Sequence, residues 1–378
     1  MKMVLKDVGA VTPFGIIQTD ITIENGKIAE IFHTHNKGKD CTGMLAFPGF
    51  IDTHIHGGFG TEFSAPKERF DGGLTGEAHY GVTGVCCTVR CLPVDETIAA
   101  IKNIVREYKR KPSGARIEGI HLEGPFVSPE YSGSMNVKDM VDPDPDILQE
   151  FYDASHGLLK IITVAPELKG ADALILKAKE LGVTVSMGHT GADKQQALHA
   201  YLLGARQFTH TFNACAQFHH RSPNAVGFAL TKPDIKCEAI CDLVHLDLLT
   251  VRLIFAAKGD GFINMISDSG VFAGMGDGDF VVAGQRRHVK DGICTLDNGR
   301  IAGSCFTLYH GVRNLLKAGF DPMRVWKAAC HNPAETLRIS HRAGMLLEKR
   351  AADICVLDRN YNIALTMIGG DVYEERIN

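Results

Sequence analysis

Residues 47–57 read Phe47-Pro48-Gly49-Phe50-Ile51-Asp52-Thr53-His54-Ile55-His56-Gly57. An apolar run enters, two histidines two residues apart close it, and a glycine follows. In a strand, residues i and i+2 point to the same face, so both imidazoles can reach one ion. The run is the first of eight. The others are Gly84–Val89, Arg116–Leu122, Lys160–Val164, Val183–Gly188, Ala205–Thr209, Cys237–Asp242 and Ile263–Ser267. Helical patterns fall between most of them: Thr97–Lys109, Ala171–Leu181, Ala192–Leu203 and Asp247–Lys258. Eight such alternations predict a (β/α)8 barrel, of the α/β class. A doubly wound open sheet is the competing architecture. It wants a glycine-rich phosphate loop after the first strand, and here a histidine pair precedes Gly57-Gly58 instead.

Outward from the barrel, both termini have a different texture. Thr19–Ile23 and Ile28–Ile31 flank the turn Glu24-Asn25-Gly26-Lys27, a strong hairpin signal. Residues 352–358 and 363–373 again read as short strands. The expectation is a small β-sandwich domain from residues 1–46 plus 345–378, with the barrel spanning 47–344.

Composition narrows the function classes. The 378 residues carry 40 Lys plus Arg against 44 Asp plus Glu, a formal charge of −4, so no basic excess exists for nucleic acid. No apolar run reaches membrane-spanning length, and the N-terminus lacks a signal-peptide core. The 11 cysteines form no CxxC pair, and Cys237 and Cys241 are poorly spaced for zinc. Free thiols in a cytoplasmic protein fit best.

Ionisable residues recur where the strands end. His121-Leu122-Glu123-Gly124-Pro125 closes the third, Gly188-His189-Thr190 the fifth, and Thr209-His210-Thr211 the sixth. His245 follows the seventh, and Ser267-Asp268-Ser269 closes the eighth. Taken singly, each could be a buried histidine bonded to backbone or a solvated loop charge. Together they track the barrel period, and a barrel converges those ends on one rim. That points to a metal site.

These segments give the chain a resemblance. PGFIDTHIHG (48–57), GVTG (81–84), HLEGPF (121–126), TVAPE (163–167), GHT (188–190), THTFNA (209–214), ISDS (266–269), AGS (302–304) and HNPAE (331–335) resemble the amidohydrolase superfamily. Within it they are similar to the deacetylases of N-acetylated hexosamine 6-phosphates. The resemblance implies hydrolysis of the N-acetyl group of N-acetylglucosamine 6-phosphate, or a close epimer, in amino sugar catabolism. It implies a divalent metal (Zn, Fe, Mn or Co), one or two per subunit. Glu123, His189 and His210 would hold the main ion, His54 and His56 a second, and Asp268 would be the acid/base. His245, Asn213 and Ala214 would contact the amino sugar phosphate, with His220 a weaker addition. Arg221 would reach the phosphate of the neighbouring subunit, which implies a homodimer. Three positions depart from the family pattern. Met135 stands where a histidine is usual, Leu243 replaces a glycine in Asp242-Leu243-Val244-His245, and Arg350 or Ala351 replaces a glycine near the C-terminus. The first two touch the sugar-binding side. Another amidohydrolase reaction on a different amide is the rival within the class. A non-catalytic barrel that binds without reacting is the rival outside it, and the retained ligands argue against that one.

Overall fold

The computed structural model describes residues 2–34, 37–282 and 284–377. Eight parallel strands build the central sheet: β1 Phe50–Ile55, β2 Val82–Arg90, β3 Arg116–Glu123, β4 Leu159–Val164, β5 Thr184–Met187, β6 Gln207–Phe208, β7 Lys236–Ile240 and β8 Ile263–Ile266. They pair in chain order from β1 to β8. The ends meet through backbone bonds beyond β8: Asp268 N–H donates to His54 O at 3.0 Å and His56 N–H to Ser269 O at 2.9 Å. The barrel is therefore stitched shut by the residues that carry its chemistry. β1 is buried along its whole length and β2 in all but its last residue, as strands covered on both faces must be.

The four helices expected from the apolar periodicity are all present. Ala171–Leu181 has the expected bounds, and Val94–Arg110 buries Ala100, Ile101, Ile104 and Val105 on one face. The fifth helix starts at Lys194, because Asp193 caps it and Gln196 returns the bond in a capping box. Phe47 is a correction. It lies in a separate strand, Leu45–Pro48, that pairs antiparallel with Ile354–Leu357. Gly49 breaks the run, since a side chain there would collide with Thr83.

Leu45–Pro48 is the hinge of the terminal domain, pairing parallel to Lys2–Thr12 on one side and antiparallel to Ile354–Leu357 on the other. The eight strands from both termini form one continuous sheet. One edge of it is tied to the segment before Ile354–Leu357, with Ile28 N–H on Arg350 O and Ala352 N–H on Gly26 O, both 2.9 Å. Leu5, Val8 and Ile21 pack in one cluster with Ile354, Val356 and Leu365. In the hairpin turn, Asn25 and Gly26 both take positive φ, as a two-residue loop requires.

The stretch after β8 holds an element that the apolar pattern does not announce. Gly278–Val282, Gln285–Lys290, Ile293–Thr295 and Ile301–Ser304 form a four-stranded antiparallel sheet. A bridge from Ser304 to Ser269 fixes it to the end of β8, and Arg300 Nη1 reaches Gly133 O across the cavity mouth at 2.6 Å.

Candidate metal centre

Glu123 is the last residue of β3, and His54 lies one residue from the end of β1. His189, His210 and Asp268 each sit two residues past the ends of β5, β6 and β8. The chain leaves the strands abruptly at these points: His189, His210 and Asp268 have φ of 47°, 25° and 50°. Phe212 and Ala214, next along the same loop as His210, also have positive φ. Backbone strain of this kind concentrates where side chains must be aimed.

The result is a tight cluster around one carboxylate. Glu123 Oε1 lies 2.9 Å from His210 Nε2, 3.2 Å from His189 Nε2 and 3.3 Å from His54 Nε2. Glu123 Oε2 lies 3.2 Å from His56 Nε2, and that nitrogen is 3.2 Å from Asp268 Oδ1. Two ligand sets result, His189-His210-Glu123 and His54-His56-Glu123-Asp268, with Glu123 common to both.

Partners behind the cluster set the ring orientations. Glu238 accepts from His54 Nδ1 at 3.0 Å, and Tyr131 O accepts from His189 Nδ1 at 2.7 Å. Each bond places the proton on Nδ1 and leaves the Nε2 lone pair facing inward. His54 Nε2 is buried and has no hydrogen-bond partner. His189 Nε2 and His210 Nε2 face each other at 3.1 Å, with a carboxylate beside both. A cation between these three groups would be held by all of them at once. Nitrogen and carboxylate donors suit a divalent transition metal, so the residues present fit the group.

Electrostatics agree. Burial opposes ionisation of Glu123, yet His54, His189 and His210 hold its carboxyl well below the usual carboxylate range. Burial likewise opposes the Asp268 carboxylate, but His54 and His56 bring it to about 2. Against burial, Asp268 and Glu123 hold His56 up at about 9. His121, in the same motif as Glu123, belongs to neither of the two sets around Glu123. Its Nδ1 donates to Thr53 O at 3.2 Å, so its Nε2 accepts from Thr163 Oγ1 at 2.9 Å. Burial pushes it well below its ordinary value, and it serves as a neutral strut.

Above the cluster opens a cavity of about 510 Å³ lined by Met135, Asn213, Ala214 and His245, together with the inserted sheet. His245 Nδ1 donates to Asp242 Oδ2 at 2.8 Å, which leaves Nε2 toward the cavity. Asp242 also accepts Val244 N–H, His245 N–H and the Ser304 hydroxyl. Burial would lower the His245 pKa, but Asp242 raises it above the ordinary value. Leu243 completes this turn at φ 65°, a conformation that suits the glycine it replaces. His220 and Arg221 lie elsewhere. They are exposed on the loop after β6, outside this chain's cavity, with Arg221 Nη1 2.8 Å from His220 Nε2. HNPAE is also remote from the ion: Asn332 donates to Asp260 O and Ile263 O at the start of β8. The sequence reading passed over Glu238, although a carboxylate inside the apolar strand Lys236–Ile240 is its signal.

Residues 45–373 match the profile of the Amidohydrolase family. The chain belongs to the amidohydrolase family. It is 32% identical over 367 residues to N-acetylglucosamine-6-phosphate deacetylase of Lysinibacillus sphaericus, covering 94% of this chain and 93% of that one. It is 30% identical to the enzyme of the same name from Bacillus subtilis (strain 168), over 98% and 96% of the two chains. Among solved structures it is similar to a Mycobacterium smegmatis N-acetyl-D-glucosamine-6-phosphate deacetylase mutant in complex with N-acetyl-D-glucosamine-6-phosphate. That match has a TM-score of 0.92 at 26% identity, over 98% of this chain and 99% of the other. The histidine pair at the end of β1, Glu123 ending β3 and the residues beyond β5, β6 and β8 form one rim.

Proposed function

We propose that the protein is a metal-dependent deacetylase that converts N-acetylglucosamine 6-phosphate, or a close hexosamine 6-phosphate epimer, to acetate and the amino sugar phosphate. The observation that carries this is the rim itself, with four histidines around Glu123 and an ionised aspartate facing them. His189, His210 and Glu123 would hold the principal ion, and His54 and His56 a second. Zn, Fe, Mn and Co all suit these donors. When bound, a divalent metal supplies Lewis-acid polarisation of the amide carbonyl and lowers the pKa of water toward neutrality.

The protein groups divide the rest of the reaction. Asp268, ionised at neutral pH, accepts the proton of the attacking water at its carboxylate and returns it to the departing amine nitrogen. His245 donates from Nε2 to the oxygen on which negative charge develops, with Asp242 stabilising its charged form. Asn213 and Ala214 seat the phosphate end within the same chain. Arg221 is assigned to the phosphate of the neighbouring active site in a homodimer. Its exposure outside its own cavity supports that division. None of the eleven cysteines is paired, which supports a reducing, cytoplasmic setting. No described helix is long and apolar enough to cross a membrane.

Steady-state acetate release from N-acetylglucosamine 6-phosphate and its galacto epimer tests the reading. Turnover of either supports it and their ratio assigns the epimer. Turnover of neither by metal-loaded protein refutes it.

A further inference from the structure

The inserted sheet carries a buried cation that the reaction above leaves unused. Arg287 is only 7% exposed and lines the catalytic cavity. Its Nη1 reaches Ala302 O at 3.3 Å and its Nη2 reaches Gln285 Oε1 at 3.5 Å, both long contacts. Its Nε is buried with no acceptor. The nearby carboxylates are engaged elsewhere: Glu62 pairs with Arg90 at 2.7 Å and Asp268 with His56 at 3.2 Å. Among the described residues Arg287 forms no ion pair. A guanidinium cannot shed its proton in a protein, so this is a permanent charge held out of water with incomplete bonding. Such a charge is costly to the fold unless something completes it.

Its place on the rim indicates what completes it. The inserted sheet is fixed to the end of β8, and Arg287 lies within electrostatic reach of Arg90, the last residue of β2, of Glu62, and of Asp268 beyond β8. Asn213, Ala214 and Arg221 all follow β6. In an eight-stranded barrel β2 and β6 are four places apart, on opposite sides of the mouth. Arg287 is thus separate from the strand-6 loop assigned to the phosphate, and it opens into the same cavity.

We propose that Arg287 is the base of a second anion subsite, which takes an oxyanion carried by the substrate in the fork of its guanidinium. The oxyanion is either a carboxylate on the acyl chain or the sugar phosphate itself, in which case Arg287 replaces the strand-6 loop as its seat. The proposal rests on the deacylase reading and adds a specificity-determining residue to it.

The test compares Arg287→Met and Arg287→Lys with the wild type on N-acetylglucosamine, N-acetylglucosamine 6-phosphate and N-succinylglucosamine. In Arg287→Met, kcat/KM for the substrate bearing the recognised anion falls roughly 10- to 100-fold, the worth of a charged hydrogen bond. The neutral sugar is unaffected, and Arg287→Lys recovers part of the loss. A selective loss on the 6-phosphate identifies the phosphate as occupant, and one on the N-succinyl compound identifies a carboxylate. Equal losses on all three, or none, overturn the proposal. Thermal melting supplies a readout independent of turnover. Arg287→Met melts higher than wild type in ligand-free buffer and loses the upward shift that inorganic phosphate or succinate gives the wild type. A lower Tm with the shift retained marks a structural arginine and overturns the proposal. A wild type inactive on every sugar, whose Tm shift still vanishes in Arg287→Met, refutes the deacetylase reading and leaves the subsite standing.

Discussion

Asp268 combines an unusual backbone with an exposed chemical task. Its φ of 50° aims the carboxylate at His54 and His56, and asparagine tolerates that conformation better than most residues. Asp268→Asn therefore keeps the fold and the His189-His210-Glu123 set while losing the proton acceptor. Its kcat should fall by roughly 10² to 10⁴, with the principal ion still bound by elemental analysis. Retained turnover would move the acid/base role to another group. Glu238 is the contrasting case, since it touches the ring of a ligand and not the reacting atoms. Besides His54 it accepts from Gln207 Nε2 at 2.7 Å and from His210 N–H at 3.2 Å. Glu238→Gln should weaken metal binding roughly 10- to 100-fold, read by competition with a chelator. Unchanged affinity would make its bond to His54 incidental. At this scale the sequence was most informative. The ligands lie at strand ends, where spacing exposes them. Their supports are scattered: Tyr131 acts through its backbone oxygen, which side-chain identity does not report.

At the scale of elements, legibility followed apolar patterning. β1 to β8 were readable because strands buried on both faces must be near-continuous apolar runs. The four-stranded insertion was not. Its strand Gln285–Lys290 reads Gln-Arg-Arg-His-Val-Lys, with buried and exposed residues mixed, and so resembles a solvated charged loop. Arg287 was hidden there for the same reason. The terminal sheet was legible as strands, but the joining of its two halves was not, because pairing between residues 45–48 and 354–357 leaves no local mark. One ionic contact in that sheet yields a pH prediction. Asp20 is buried and accepts from Lys6 Nζ at 2.6 Å, Thr34 N–H at 2.7 Å and Asp7 N–H at 2.9 Å. Burial works against its ionised form, but these partners prevail and hold it at about 2. A lowered carboxyl pKa stabilises the fold fully above the unfolded value, near ~3.9, and the gain is lost as pH falls toward 2. Asp20→Asn should therefore be less stable than wild type in urea at pH 7, with the gap closing in acid. A gap independent of pH would assign the loss to packing.

The whole molecule raises the question of what a single chain lacks. Arg221 stands outside its own cavity, so a phosphate contact from it needs a second copy. Arg221→Ala should raise KM for the phosphorylated sugar far more than it lowers kcat. A mixed dimer makes the test sharper. Combined with Asp268→Asn, the Arg221→Ala protomer receives an intact arginine from its partner and regains low-KM turnover. Mixtures no better than the sum of their parts would place Arg221 outside the phosphate site. The central claim concerns the rim, where groups from four other barrel strands converge on Glu123 and would hold the cation needed to hydrolyse an acetamide. Its most direct test is a titration of metal-stripped protein with a divalent ion, with acetate release from N-acetylglucosamine 6-phosphate followed at each addition. The account predicts no release at the start, a rise in proportion to metal bound, and saturation at one or two equivalents per chain. Release from the stripped protein, or none from the loaded one, would contradict it.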